Sequence, residues 1–209
     1  LGIAWAVLQP LLTTVVFTII FGILLGTPSQ ELPYPLFAMT ALLPWGLFST
    51  ALQRSSVSLV GNANLITKIY FPRLAIPLSS VFAALVDFGV SFVVLLLVMA
   101  YYRYWPGWNM VWLLPMVLLA LLTALAVGLW LSALNVQYRD VQHMVPFLTQ
   151  LWMYASPIVY PIETIPEGIW RTLYGLNPMV GVIQGFRWAL LGSDPPDVTM
   201  LISVVVVLV

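Results

Sequence analysis

Charge is what this sequence has least of. Seven basic and seven acidic side chains serve 209 residues, 7% of the chain, against 62% hydrophobic. A soluble domain carries about 25% charged residues. Too few polar groups are present to coat a water-soluble globule, so the medium that suits this chain is lipid. Net charge is zero, which leaves no basic footprint for nucleic acid. Cysteine is absent, so disulfides and thiolate chemistry are excluded. Histidine occurs once, at His143, and without cysteine no His/Cys metal cluster can be assembled. Lysine also occurs once, and Lys68 follows Thr67 rather than a glycine. The phosphate-cradling G-x-x-x-x-G-K-[ST] loop is therefore missing from these residues, and the chain does not bind ATP in that manner. A hydrolytic triad would have to use His143, beside Met144 at the edge of an apolar run. No catalytic residue, metal or bound cofactor is expected.

Long apolar runs are what the sequence has in quantity. Leu1 to Leu25 is uncharged and, at about 1.5 Å per residue, reaches about 37 Å, enough to cross a bilayer with tilt. Further spans are expected over 36–60, 74–102, 111–134 and 144–160, with a sixth beginning at 198. The fold class is thus an all-α integral membrane protein of about six helices in one domain over 1–209. Both termini fall inside apolar runs, and the last, Val198 to Val209, has 12 residues where about 20 are needed to span. The chain is expected to be a fragment of a longer protein.

Between the runs lie distinct connectors. GTPSQELPYP at 26–35 is rich in turn residues. RYWPGWNM at 103–110 is dense in Trp and Tyr, as at a headgroup belt. Asn135 to His143 is a polar, water-facing turn. Over 161–196 two short helices, Glu167 to Leu176 and Val180 to Leu191, flank the breaker Asn177-Pro178. Neither spans, but both fit re-entrant half-helices if protein covers them. The segments 61–73 and 135–143 carry Lys68, Arg73 and Arg139 in short loops, which mildly favours them as the cytoplasmic side.

Two ionisable residues sit inside spans. Asp87 lies about 20 Å into the third if helical, where an unpaired acid costs about 2.5–3.5 kcal/mol on insertion scales. Arg54 lies about 10 Å deep in the second. The two are candidates for an intramembrane ion pair. Two other readings stay open: Asp87 neutral or bonded to nearby Ser91, or Asp87 as a proton-coupling carboxylate. In Asn62 to Phe71, the residues Leu65, Ile66, Ile69 and Tyr70 share one helical face. That face suits either a headgroup layer or a groove on a soluble partner. Trp45, Phe48, Trp152, Tyr154 and Tyr160 are either packing and belt aromatics or a wall for sugar C–H faces; Trp152 and Tyr154 fall at mid-span, away from either belt.

Four stretches carry a family resemblance: WAVLQPLLTTVVFTIIFG (5–22), NANLITKIYFPRLAIPLSSV (62–81), YRDVQHMVPFLTQLWMYASPIVYP (138–161) and NPMVGVIQGFRWALLG (177–192). In that order they resemble the membrane subunit of type-2 ABC exporters of O-antigen, capsule and teichoic acid. The resemblance implies six helices, cytoplasmic termini, two paired copies, and two separately encoded ATPase subunits that bind ATP and Mg. It implies residence in the bacterial cytoplasmic membrane and a lipid-linked glycan as substrate. It makes the segment with Asn64, Leu65, Ile66, Lys68, Ile69, Tyr70 and Phe71 the element that couples to the ATPase. Arg139 and Asp140 become a second contact or its brace. It places 161–192 near the outer channel mouth, and the aromatics on the substrate path. A type-2 permease for drugs or other small hydrophobic substrates is the alternative within the class, and a proton-coupled secondary transporter using Asp87 the alternative outside it. The second lacks an inverted repeat.

Overall fold

The computed structural model describes residues 2–27, 32–63, 72, 74–166 and 168–197. These form α1 (Gly2–Phe17), continued by a π-helix (Thr18–Leu24), α2 (Tyr34–Gly61), α3 (Ala75–Tyr101), a 3-10 turn (Trp108–Trp112), α4 (Leu113–Gln137), α5 (Val141–Tyr154), a second 3-10 turn (Ile162–Thr164), α6 (Ile169–Gly175) and α7 (Pro178–Leu191). Among the described residues four helical segments are long and apolar enough to cross a membrane: Val7–Leu24, Tyr34–Gly61, Ala75–Tyr101 and Trp108–Gln137. The expected sixth span, 198–209, lies outside the described residues.

The hub is α2. It packs against α1, α3, α4, α5 and α7, and its side chains from Leu36 to Leu52 are almost all buried. A helix buried all round must satisfy its own polar groups. The hydroxyls of Thr40, Ser56 and Ser58 do so by donating to carbonyls three or four residues earlier. Neighbouring helices come close where side chains are small. A Cβ built on Gly128 of α4 would stand 2.6 Å from Ser55 Oγ of α2, so glycine there sets how near the two backbones approach. By contrast α1 is covered on one side only, and its exposed Leu, Val and Ile side chains form the kind of surface lipid accepts.

Several expectations change here. Asn135 does not belong to a water-facing turn: it is fully buried in the last part of α4 and its Nδ2 donates to the Ser56 carbonyl at 3.1 Å. Only Tyr138 to Asp140 lies between the two helices. The expected span 144–160 is not one helix. Helix α5 stops at Tyr154, and its 14 residues reach about 21 Å, short of a core about 30 Å thick. The two short helices of 161–196 also differ from each other. Nearly all of α7 is buried between α2 and α4, whereas Ile169, Trp170 and Leu173 of α6 are exposed. Local chemistry sets the limits of α7. Asn177 Oδ1 caps the Met179 N–H at 3.0 Å, Pro178 takes the first helical position, and Gly192 closes the helix at φ +68°, a left-handed conformation glycine adopts without strain.

Candidate functional site

Two polar constructions lie inside the apolar bundle. The first joins α2 to α3. Arg54 Nη2 donates to Asp87 Oδ2 at 2.6 Å, with the two side chains 43% and 47% exposed in the single chain. Arg54 lies seven residues before the end of α2 and Asp87 twelve residues into α3, so the antiparallel helices bring the two to neighbouring depths. Asp87 opens on a cavity of about 320 Å³ bounded by α1, α2, α3 and Met153 of α5. Its polar lining includes Gln9, Thr13, Thr14, Ser49 and Ser91. Ser91 does not bond the Asp87 carboxylate; its Oγ donates to the Asp87 backbone carbonyl at 3.0 Å.

The second construction holds the break after α5. Residues 156–159 are buried yet not helical, so their carbonyls need donors from elsewhere. Tyr34 Oη donates to the Val159 carbonyl at 3.0 Å. Arg187, only 2% exposed, donates from Nη2 to the Ile158 carbonyl at 3.1 Å and lays its guanidinium 3.7 Å from the Phe37 ring centre. Such stacking is worth about 2 kcal/mol when desolvated. Asn177 Nδ2 donates to the Ala155 carbonyl and Ser156 Oγ, each at 3.0 Å. Its Oδ1 accepts from Trp152 Nε1 at 2.9 Å as well as from the cap. Tyr160 and Tyr174 share a hydroxyl contact of 2.7 Å. Burial, reinforced by that hydrogen bond, pushes the Tyr174 phenol upward.

Arg187 and Asn177 are therefore central to the fold near this break. In the sequence Asn177 reads only as a helix breaker, and Arg187 is not among the candidate site residues. The available signals were an arginine within an otherwise apolar helix and the Asn-Pro pair that caps it.

The five aromatics separate. Phe48 has no exposed surface and Trp45 is 5% exposed. Phe48 lies 5.4 Å from the Trp45 ring and 5.0 Å, edge-on, from Trp152. The three form one packed cluster in the core, and Phe48 offers no ring face to a substrate. Tyr154 is not at mid-span: it ends α5 and is 55% exposed. With Met144, Phe147, Leu148 and Leu151 it forms an exposed stripe along α5. Arg139 and Asp140 are exposed in the α4–α5 turn, at the end of the bundle where α2 finishes and α3 begins. The segment with Asn64, Leu65, Ile66, Lys68, Ile69, Tyr70 and Phe71 lies outside the described residues.

A multi-pass helical protein that keeps a charged pair and a hydroxyl-lined cavity at membrane depth is built as a transport permease, since such groups are costly in lipid and mark polar pathways. The chain belongs to the ABC-2 type transporter family, whose model it matches over residues 1–191. It is 35% identical over 210 residues to the O-antigen export system permease protein RfbA of Myxococcus xanthus, covering 99% of this chain and 79% of that protein. A protein of the same name from Klebsiella pneumoniae is 31% identical over 189 residues, covering 90% and 71%. The polysialic acid transport protein KpsM of Escherichia coli is 25% identical over 196 residues, covering 91% and 74%. Membership makes this chain a non-enzymatic transport subunit of an ABC system, with an ABC ATPase as partner and the membrane as its location.

Proposed function

We propose that this chain is the transmembrane subunit of an ATP-driven exporter that moves a lipid-linked polysaccharide of the O-antigen, capsule or teichoic-acid type across the bacterial inner membrane. The observation that carries the reading is the match to O-antigen export permeases along nearly the whole chain. Residues 1–209 form one permease domain of about six spans, and two copies pair around a channel. Two ATPase subunits bind ATP and Mg, and their closure moves the coupling segment, Asn64 to Phe71. Arg139 and Asp140, exposed at the same end of the bundle, brace that contact. Tyr154, exposed in the single chain, gives a weak and repeatable contact for a passing glycan. Weak contacts suit processive movement, because a tight site would stall the polymer.

The test uses the full-length protein expressed with its neighbouring ATPase. Wild type is expected to co-purify with the ATPase from membranes. Ile66→Asp and Tyr70→Asp place a charge on the apolar face of the coupling segment and are expected to release it. ATPase retention by both variants refutes the coupling assignment. Accumulation of undecorated glycan lipid on the inner leaflet, in cells lacking the permease, tests the substrate.

A further inference from the structure

The cavity beside Asp87 has a lining with an unusual chemical bias. Four hydroxyls around it have already used their protons on their own helices. Thr13 donates to the Gln9 carbonyl, Thr14 to Pro10, Ser49 to Gly46 and Ser91 to Asp87, at 2.7–3.2 Å. What these side chains turn to the cavity is oxygen lone pairs. Asp87 adds to them: Arg54 holds Oδ2, and Oδ1 takes no hydrogen bond from the described residues. The cavity thus presents mainly acceptors, with Gln9 contributing an amide and Thr50 a hydroxyl. Its apolar boundary includes Trp45 and Phe88. At about 320 Å³ it sits at the lower end of small-ligand pockets, roughly 300–1,000 Å³.

An acceptor-lined space bounded by rings complements a ligand that brings hydroxyl donors on a compact ring. We infer that this cavity is a binding station for one pyranose unit of the transported glycan, with Asp87 Oδ1 as the principal acceptor and Arg54 positioning it. The ligand class rests on the export reading above; the acceptor geometry does not. Loading and unloading this station needs no rearrangement of these four hydroxyls, because their protons are already placed.

The experiment uses full-length permease in lipid nanodiscs, with any cysteine outside 1–209 replaced. Residues 1–209 contain none, so Thr50→Cys, on the cavity wall, provides a single thiol. Its reaction with a water-soluble methanethiosulfonate is timed with methyl α-D-glucopyranoside, methyl α-D-mannopyranoside, glycerol or sodium chloride. A glycoside is expected to slow labelling by 1 + [L]/Kd, about threefold at twice its Kd, with glycerol and salt inactive. Asp87→Asn is expected to weaken that protection.

Gly46→Leu keeps the test valid should Asp87→Asn misfold. Gly46 lines the cavity and a Cβ there meets nothing within 4 Å, so the leucine side chain has room at its root and is expected to occupy the cavity and abolish protection. Equal slowing by glycerol overturns the inference. So does protection by sodium alone, which marks a cation site, or a thiol that no glycoside protects. A thiol that does not react at all overturns it too, since water then does not reach the cavity. The assay contains neither ATP nor ATPase. Lost protection with intact export removes the station alone, and intact protection with failed export removes the transport reading alone.

Discussion

Asn177 is the residue whose replacement separates the interactions at the α5 break most cleanly. It makes four hydrogen bonds through one amide: it caps α7, accepts from Trp152 Nε1, and donates to the Ala155 carbonyl and Ser156 Oγ. Asn177→Ala removes all four. Loss of the cap costs about 1 kcal/mol. The stranded Trp152 N–H costs about 1–3 kcal/mol, since a half-buried donor then lacks a partner. The Ala155 carbonyl is exposed and adds little. The expected total is about 3 kcal/mol, a fall of roughly 6–12 °C in Tm for a chain of this size. Asn177→Asp keeps both acceptor bonds and places a negative charge at the helix N-terminus, favourable by about 0.3–1 kcal/mol. It loses only the two donated bonds, which add little, so its stability should stay within about 1 kcal/mol of wild type. Thermal unfolding of the purified permease in micelles, read by tryptophan fluorescence at one scan rate, measures both. An alanine variant within about 1 °C of wild type, or an aspartate variant as damaged as the alanine one, would refute the account of this break.

Other outcomes follow from the same structure. Arg54→Gln and Asp87→Asn are expected to be non-additive, with a coupling near 1 kcal/mol or less because both groups are over a third exposed; strictly additive losses would show that the contact carries no energy. Gly128→Ala forces a Cβ to within 2.6 Å of Ser55 Oγ and should cost about 1–3 kcal/mol, partly recovered by adding Ser55→Gly. The Tyr174 phenol is pushed above its ordinary value of 10.0 by burial and by Tyr160, so the folded state keeps a proton that the unfolded chain releases. Stability should therefore be flat in this respect below pH 10 and fall above it, and unfolding measured at pH 8 and pH 11 should differ less in Tyr174→Phe.

Much of the fold could be read from composition alone. Four runs expected to span do form membrane-length helices, because hydrocarbon leaves a backbone few alternatives to helix. The Arg54–Asp87 contact could be proposed from depth, since opposite charges within membrane spans seek each other. Asn135 misled because its neighbours in sequence are polar, whereas its environment is set by Ser56, 79 residues away. Phe48 and Trp45 stand open in the sequence between packing and a substrate wall, and Phe48 packs in the core. An aromatic side chain in a span is equally suited to packing or to a channel wall, and only the crossing of α2 with α5 decides which.

The sequence by itself determined the solvent, the helical class and the family, since each depends on residue type and local order along the chain. Tertiary structure alone decided that α2 is the hub, that α5 breaks at Ala155, and that Arg187 and Asn177 hold that break. It also decided that the hydroxyls around Asp87 turn acceptors to one cavity. Those outcomes depend on which helix faces meet, and that is settled by close packing between residues far apart in sequence.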